Sequence, residues 1–102
     1  MSVLVTLRIA GDAKSIEQAL TSDPDRLKQV SDRARSKGAK RHAFYASTDG
    51  NGILVVDEWE SAEAFQQFFG ESQEIAQMMG EGGVTSQPEA TFWNELDTPD
   101  KF

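Results

Sequence analysis

The chain contains no cysteine, which excludes disulfides, thiolate metal sites and a cysteine nucleophile. It contains one histidine, and a single imidazole without partners at ligand spacing does not make a metal site. Neither a metal nor a cofactor is expected. No apolar run approaches the roughly 20 residues that cross a bilayer, so no membrane partner is expected either. Basic residues are few: 10 Lys and Arg stand against 17 Asp and Glu, for a net charge of -7. That balance argues against nucleic acid, whose phosphates need clustered cations. The densest basic stretch, Arg33 to Arg41, reads first as the last turn of a helix, ahead of an anion site, because cations suit the negative end of the helix dipole. No charged-then-apolar leader precedes Val3, and a cytoplasmic protein is expected. Gly80-Glu81-Gly82-Gly83 lacks the Lys and the Ser or Thr of a phosphate loop and reads as a mobile connection, a possible lid.

What is present centres on Gly52 to Phe69. Ile53-Leu54-Val55-Val56 is an apolar run, Asp57-Glu58 is an acidic corner, and Trp59 stands at the exit. Ser61 then opens a helix with Ala62, Ala64, Phe65, Phe68 and Phe69 on its apolar side. Before it, Ser2 to Ala10 alternates as a strand, with Val3, Val5, Leu7 and Ile9 on one face. A short helix spans Ala13 to Leu20. Asp23 caps a second helix with Pro24 at its first position, and Gly38 stops it. Arg41 to Ser47 is the second strand. The Asp49-Gly50-Asn51-Gly52 turn pairs it with the third, Ile53 to Trp59. Ser72 is expected to cap a further short helix lined by Ile75, Met78 and Met79. Pro88 admits a last strand, Glu89 to Leu96, and a polar tail runs from Asp97 to Phe102.

A chain of 102 residues is one domain. The order β-α-β-β-α-β around a hairpin predicts an α+β, ferredoxin-like fold: a four-stranded antiparallel sheet with its helices on one face. An antiparallel strand with one wet face should alternate apolar with polar. Ile53 to Val56 is apolar on both sides, and Val3-Leu4-Val5 is nearly so. The second face therefore needs a cover, and a homodimer with sheets packed face to face is expected. Burying four such residues per chain contributes on the order of 6 to 12 kcal/mol gross, before the cost of association.

Val56-Asp57-Glu58-Trp59 followed by Ser61-Ala62-Glu63-Ala64-Phe65 is similar to the strand-to-helix junction of antibiotic-biosynthesis monooxygenase-like domains, in the dimeric α/β-barrel superfamily. Ala39 to Tyr45 resembles that family's second strand. The resemblance spans roughly residues 2 to 96. It implies a barrel made by two sheets, with a pocket between sheet and helices in each subunit. It does not imply one activity, because one fold hosts many. The His, Trp and Asn of the superfamily's haem-degrading members would fall at Met78, Phe68 and Leu7, and none matches. The polar and aromatic pocket residues of its cofactor-independent oxygenases have comparable types here in Asn94, Trp59, Trp93, Tyr45 and Arg8.

The candidate site follows. His42, the one side chain of a type that titrates near neutrality, is the candidate general base for an acidic phenol or enol; the plainer reading is a packed strand histidine. Trp59, Phe65, Phe68, Met78, Trp93 and Asn94 are candidate ligand-binding residues, with core filling as the alternative for the aromatic ones. Asp57 and Glu58 fall on opposite faces and make no carboxylate pair, and Glu58 is expected to meet Arg8. Three functions remain open: a dimer binding a small hydrophobic or aromatic molecule, a cofactor-independent monooxygenase on a phenolic or polyketide-like substrate, and a structural or regulatory dimer that fills its own pocket.

Overall fold

The structure is a computed structural model and describes residues 2–102; Met1 lies outside that range. Its elements are β1 (Val3–Ala10), α1 (Ala13–Thr21), α2 (Pro24–Ser36), β2 (Ala39–Ala46), β3 (Gly52–Trp59), α3 (Ala62–Glu71), α4 (Gln73–Glu81) and β4 (Glu89–Trp93). All pairings are antiparallel and the strand order is β2-β3-β1-β4. That is the ferredoxin-like arrangement expected from the element order, with the four expected helices supplying two to each crossover.

Local chemistry sets the element ends. The Asp12, Asp23 and Ser61 side chains accept the backbone N–H of Ser15, Arg26 and Ala64, each satisfying a donor that the first helical turn leaves free. Ser72 behaves differently from expectation. Its hydroxyl donates to the Phe68 carbonyl at 2.7 Å, so it closes α3 and does not cap α4. The β2–β3 turn carries Gly50 at φ 79°, a backbone conformation that glycine adopts without a Cβ penalty.

The register divides the sheet into two faces. Toward the helices point Val3, Val5, Leu7 and Ile9 of β1 and Ile53, Val55, Asp57 and Trp59 of β3, all buried. Ile16 and Leu20 of α1, Val30 of α2, Phe65 and Phe68 of α3, and Met78 and Met79 of α4 close over them. On the other face three rows cross the four strands: Arg41-Glu58-Leu4-Trp93, Ala43-Val56-Thr6-Thr91 and Tyr45-Leu54-Arg8-Glu89. Leu54 and Val56 are only half-buried there, and Leu4, Tyr45 and Trp93 are exposed.

Two expectations are corrected by this register. Glu58 and Arg8 share a face, but Glu58 lies opposite Leu4 while Arg8 lies opposite Leu54, four residues further along, and no ion pair joins them among the described residues. The last strand ends at Trp93, because pairing with β1 stops at Leu4; Asn94 to Leu96 continue without sheet partners.

Candidate functional site

The site begins with an irregularity in β2. Ala39 pairs with Trp59, but Arg41 pairs with Glu58, so Lys40 is an extra residue on its strand. A one-residue insertion reverses which side chains face the core from that point on. With regular pairing Arg41 would have met Asp57. The bulge places His42 there instead, with Phe44 following it on the same face. Just before the bulge, Gly38 has φ 120°, and a Cβ at that position would lie 2.8 Å from the Glu60 side chain. The Gly38 carbonyl accepts the Glu60 N–H at 3.0 Å, which ties the start of β2 to the end of β3.

His42 Nδ1 lies 2.6 Å from Asp57 Oδ1, and the other carboxylate oxygen accepts the Trp59 indole N–H at 3.1 Å. Asp57 is one of two buried polar or charged residues among those described, and its side chain is 11% exposed against 37% for His42. A buried carboxylate is held as an acceptor, and its two oxygens have two donors here. With Nδ1–H as the donor in this contact, Nε2 carries the other lone pair of the ring and can accept a proton from a bound molecule. The His42 ring also meets Phe44 edge-on at 4.8 Å, which limits its rotation.

The dyad opens onto a cavity of about 260 Å3 between sheet and helices. Leu7 and Val55 form its floor, and Trp59, Phe65, Phe68 and Met78 line it, as do Met79 and Phe69. Trp59 is 1% exposed, edge-on to Phe65 at 5.7 Å and tilted against Phe68 at 5.4 Å. A shallower hollow of about 420 Å3 adjoins it across His42 and Phe44.

Of the candidate site residues, His42, Trp59, Phe65, Phe68 and Met78 therefore come together around one cavity. Trp93 and Asn94 do not. Trp93 pairs with Leu4 on the far face of the sheet and donates its indole N–H to Thr6 Oγ1 at 2.9 Å. Asn94 lies beyond the end of β4 and is exposed. Asp57 belongs to the site although the sequence reading gave it no role. Its signal was the alternation Val55, Asp57, Trp59, which puts an acid on an otherwise apolar inward face. Among the described residues no group of three or more His, Cys, Asp or Glu could hold a metal ion. No helix there is long and apolar enough to cross a membrane.

No family model matches the chain, and no curated protein matches its sequence. Solved structures do match its fold. A provisionally assigned antibiotic biosynthesis monooxygenase from Bordetella bronchiseptica superposes with a TM-score of 0.62 at 13% identity, over 93% of this chain and 97% of its own. SnoaB, a cofactor-independent oxygenase from Streptomyces nogalater, gives 0.58 at 16% identity over 98% of both chains. The ActVA-Orf6 monooxygenase of Streptomyces coelicolor, in complex with nanaomycin D, gives 0.60 at 22% identity over 95% of this chain and 88% of its own. The chain thus has the ferredoxin-like fold of antibiotic-biosynthesis monooxygenase-like proteins. At these identities the likeness is one of fold.

Proposed function

We propose that the protein binds a small hydrophobic or aromatic molecule in the cavity between helices and sheet, presenting an acidic hydroxyl of that molecule to His42. One observation carries the reading: an imidazole oriented by a nearly buried carboxylate faces a cavity walled mainly by aromatic and aliphatic side chains. A structural dimer that filled its own pocket would have no use for that space. The lining suits a flat ring, with Trp59, Phe65 and Phe68 as walls and the methionines as adaptable filling. The test is a titration with naphthols and related planar phenols, following the methyl resonances of Met78 and Met79. Saturable shifts at both are expected; a broad set of such compounds that moves neither methyl removes the reading.

The second reading is a cofactor-independent monooxygenase, favoured by the His42–Asp57 pair and by the likeness to SnoaB. In it Nε2 of His42 takes a proton from a phenolic or enolic substrate. The resulting carbanion combines with molecular oxygen to a hydroperoxide, which loses water to leave a carbonyl. Both reducing electron pairs come from the substrate, and the second oxygen atom leaves as water. Oxygen uptake with an anthrone-type substrate should disappear in His42→Ala while ligand binding persists. Full turnover in that variant would sink the enzymatic assignment and leave the binding one standing.

The assembly belongs to the same proposal. The half-buried Leu54 and Val56, with exposed Leu4 and Trp93, form the face on which a second copy packs. A molecule that sediments only at 11.2 kDa at low micromolar concentration rejects the dimer.

A further inference from the structure

The charges around the cavity are opposite to those of the chain as a whole. Acids outnumber Lys and Arg by 17 to 10, yet the cavity and its adjoining hollow are bordered by Lys28, Arg35, Lys40 and Arg41, with Asp57 as the one acid. Asp57 is already engaged by His42 and Trp59. A random draw from this composition would place more acids than bases there, so the excess of cations is a property of the site.

Its origin lies in α2. Leu27, Val30 and Ala34 form the apolar stripe of the helix, and Lys28, Ser31 and Arg35 form the next stripe, spaced three and four residues apart. Both stripes border the two hollows, which His42 and Phe44 border from β2. Lys28 to Arg35 spans about 10 Å of helix axis. On the opposite bank the bulge sets Lys40 outside the regular pairing, with its Nζ donating to the neutral Ser2 hydroxyl at 2.7 Å.

Ion pairing separates these cations from their neighbours. Arg26 pairs with Glu81, and Arg33 pairs with Glu74. Neither borders the hollows. Lys28, Arg35 and Lys40 have no carboxylate within ion-pair distance among the described residues. Arg41 shares its cross-strand row with Glu58, so the argument rests on the other three. The helix dipole accounts for a cation in the last turn of α2, such as Arg35, but not for Lys28 in its first half or for Lys40 on a strand.

We infer that the pocket takes an amphipathic anion: an aromatic or other apolar body inserted toward Trp59, and a carboxylate or comparable anionic group drawn to the α2 bank by Lys28 and Arg35, with the charge of Lys40 adding to the field from β2. This rests on the proposed binding function and adds the charge of the ligand to it. Cations without acidic partners at an apolar opening attract such a group, while the net negative charge elsewhere disfavours nonspecific anion binding.

Two fluorescent probes with the same aromatic body test the inference, anilinonaphthalene sulfonate and its neutral counterpart phenylnaphthylamine. At low salt the anion should bind about tenfold more tightly than the neutral probe. That preference should shrink at about 0.5 M salt, where the Debye length is only a few ångströms. In the Lys28→Gln/Arg35→Gln variant the anion should lose most of its advantage while the neutral probe keeps its affinity. Arg33→Gln, which removes a cation already paired outside the hollows, should leave the preference intact. Saturable binding of both probes with equal affinity would overturn the anionic assignment and leave the apolar pocket standing. Failure of both probes to bind would overturn the pocket and the anionic assignment together.

Discussion

Trp59 and Trp93 make a controlled comparison inside one sheet. Each ends a strand, and each donates its indole N–H to a side-chain oxygen, Asp57 Oδ2 at 3.1 Å and Thr6 Oγ1 at 2.9 Å. Yet Trp59 is 1% exposed and Trp93 51%. The difference comes from the face on which each stands. Trp59 points to the side that α3 and α4 cover, where an indole supplies a wall and its N–H fixes a carboxylate. Trp93 points to the side that no helix covers. A hydrogen-bond partner satisfies an indole in either setting, so satisfaction alone does not separate a pocket residue from a surface residue. The covering layer does.

The comparison can be broken by deleting each indole. Trp59→Ala should cost about 3–5 kcal/mol in denaturant unfolding, from lost burial and the void left beside Phe65 and Phe68. Trp93→Ala should cost under about 1 kcal/mol in the folded monomer. Comparable losses at both positions would mean that the far face is as firmly packed as the near one. A smaller effect comes from the carboxylate that links the indole to the histidine. Asp57→Ala strands the buried Trp59 N–H and should destabilise by about 1–3 kcal/mol. It should also release the His42 ring, visible as averaged imidazole resonances. A ring that stays fixed would show that Phe44 alone orients it.

On the far face, Leu54→Asp should leave the monomer's stability nearly unchanged, because the side chain is only half-buried there. Its effect should be on assembly, as a sedimentation shift from dimer to monomer. A dimer that survives Leu54→Asp would place the interface elsewhere. The smallest effect is expected at Asp12, an exposed cap far from either indole. Its hydrogen bonds from the Ser15 hydroxyl and backbone N–H hold its pKa below the usual value for aspartate. A lowered pKa in the folded state favours folding above the unfolded value, and that contribution is lost as pH falls through the folded one. Asp12→Ala should therefore melt slightly below the parent at neutral pH and level with it in strong acid.

Much of the fold was legible because short-range chemistry specifies it. Alternation in Val3 to Ile9, the Asp-Gly and Asn-Gly turn, Pro24 after Asp23, and Ser61 before the aromatic helix each act within a few residues. The site was legible only in part. Helical spacing put Phe65, Phe68 and Met78 on inward faces, while His42 was singled out as the one histidine and Trp59 as a large aromatic at a strand exit. Trp93 was misplaced because β4 is nearly symmetrical in its apolar content, and only its pairing with β1 says which face is which. Asp57 was overlooked because an acid on a strand reads as a solvated corner until a partner appears across the sheet.

By itself, then, the sequence determined the order of elements, the antiparallel sheet and the presence of two apolar faces on the central strands. Those follow from the hydrophobic period and turn chemistry, which depend on neighbours along the chain. Tertiary structure alone decided that Lys40 bulges, that His42 consequently meets Asp57, and that cations of α2 and β2 border the two hollows beside His42. The register between strands and the placement of a helix over a sheet are set by contacts between residues distant in sequence, and a local pattern carries no record of them.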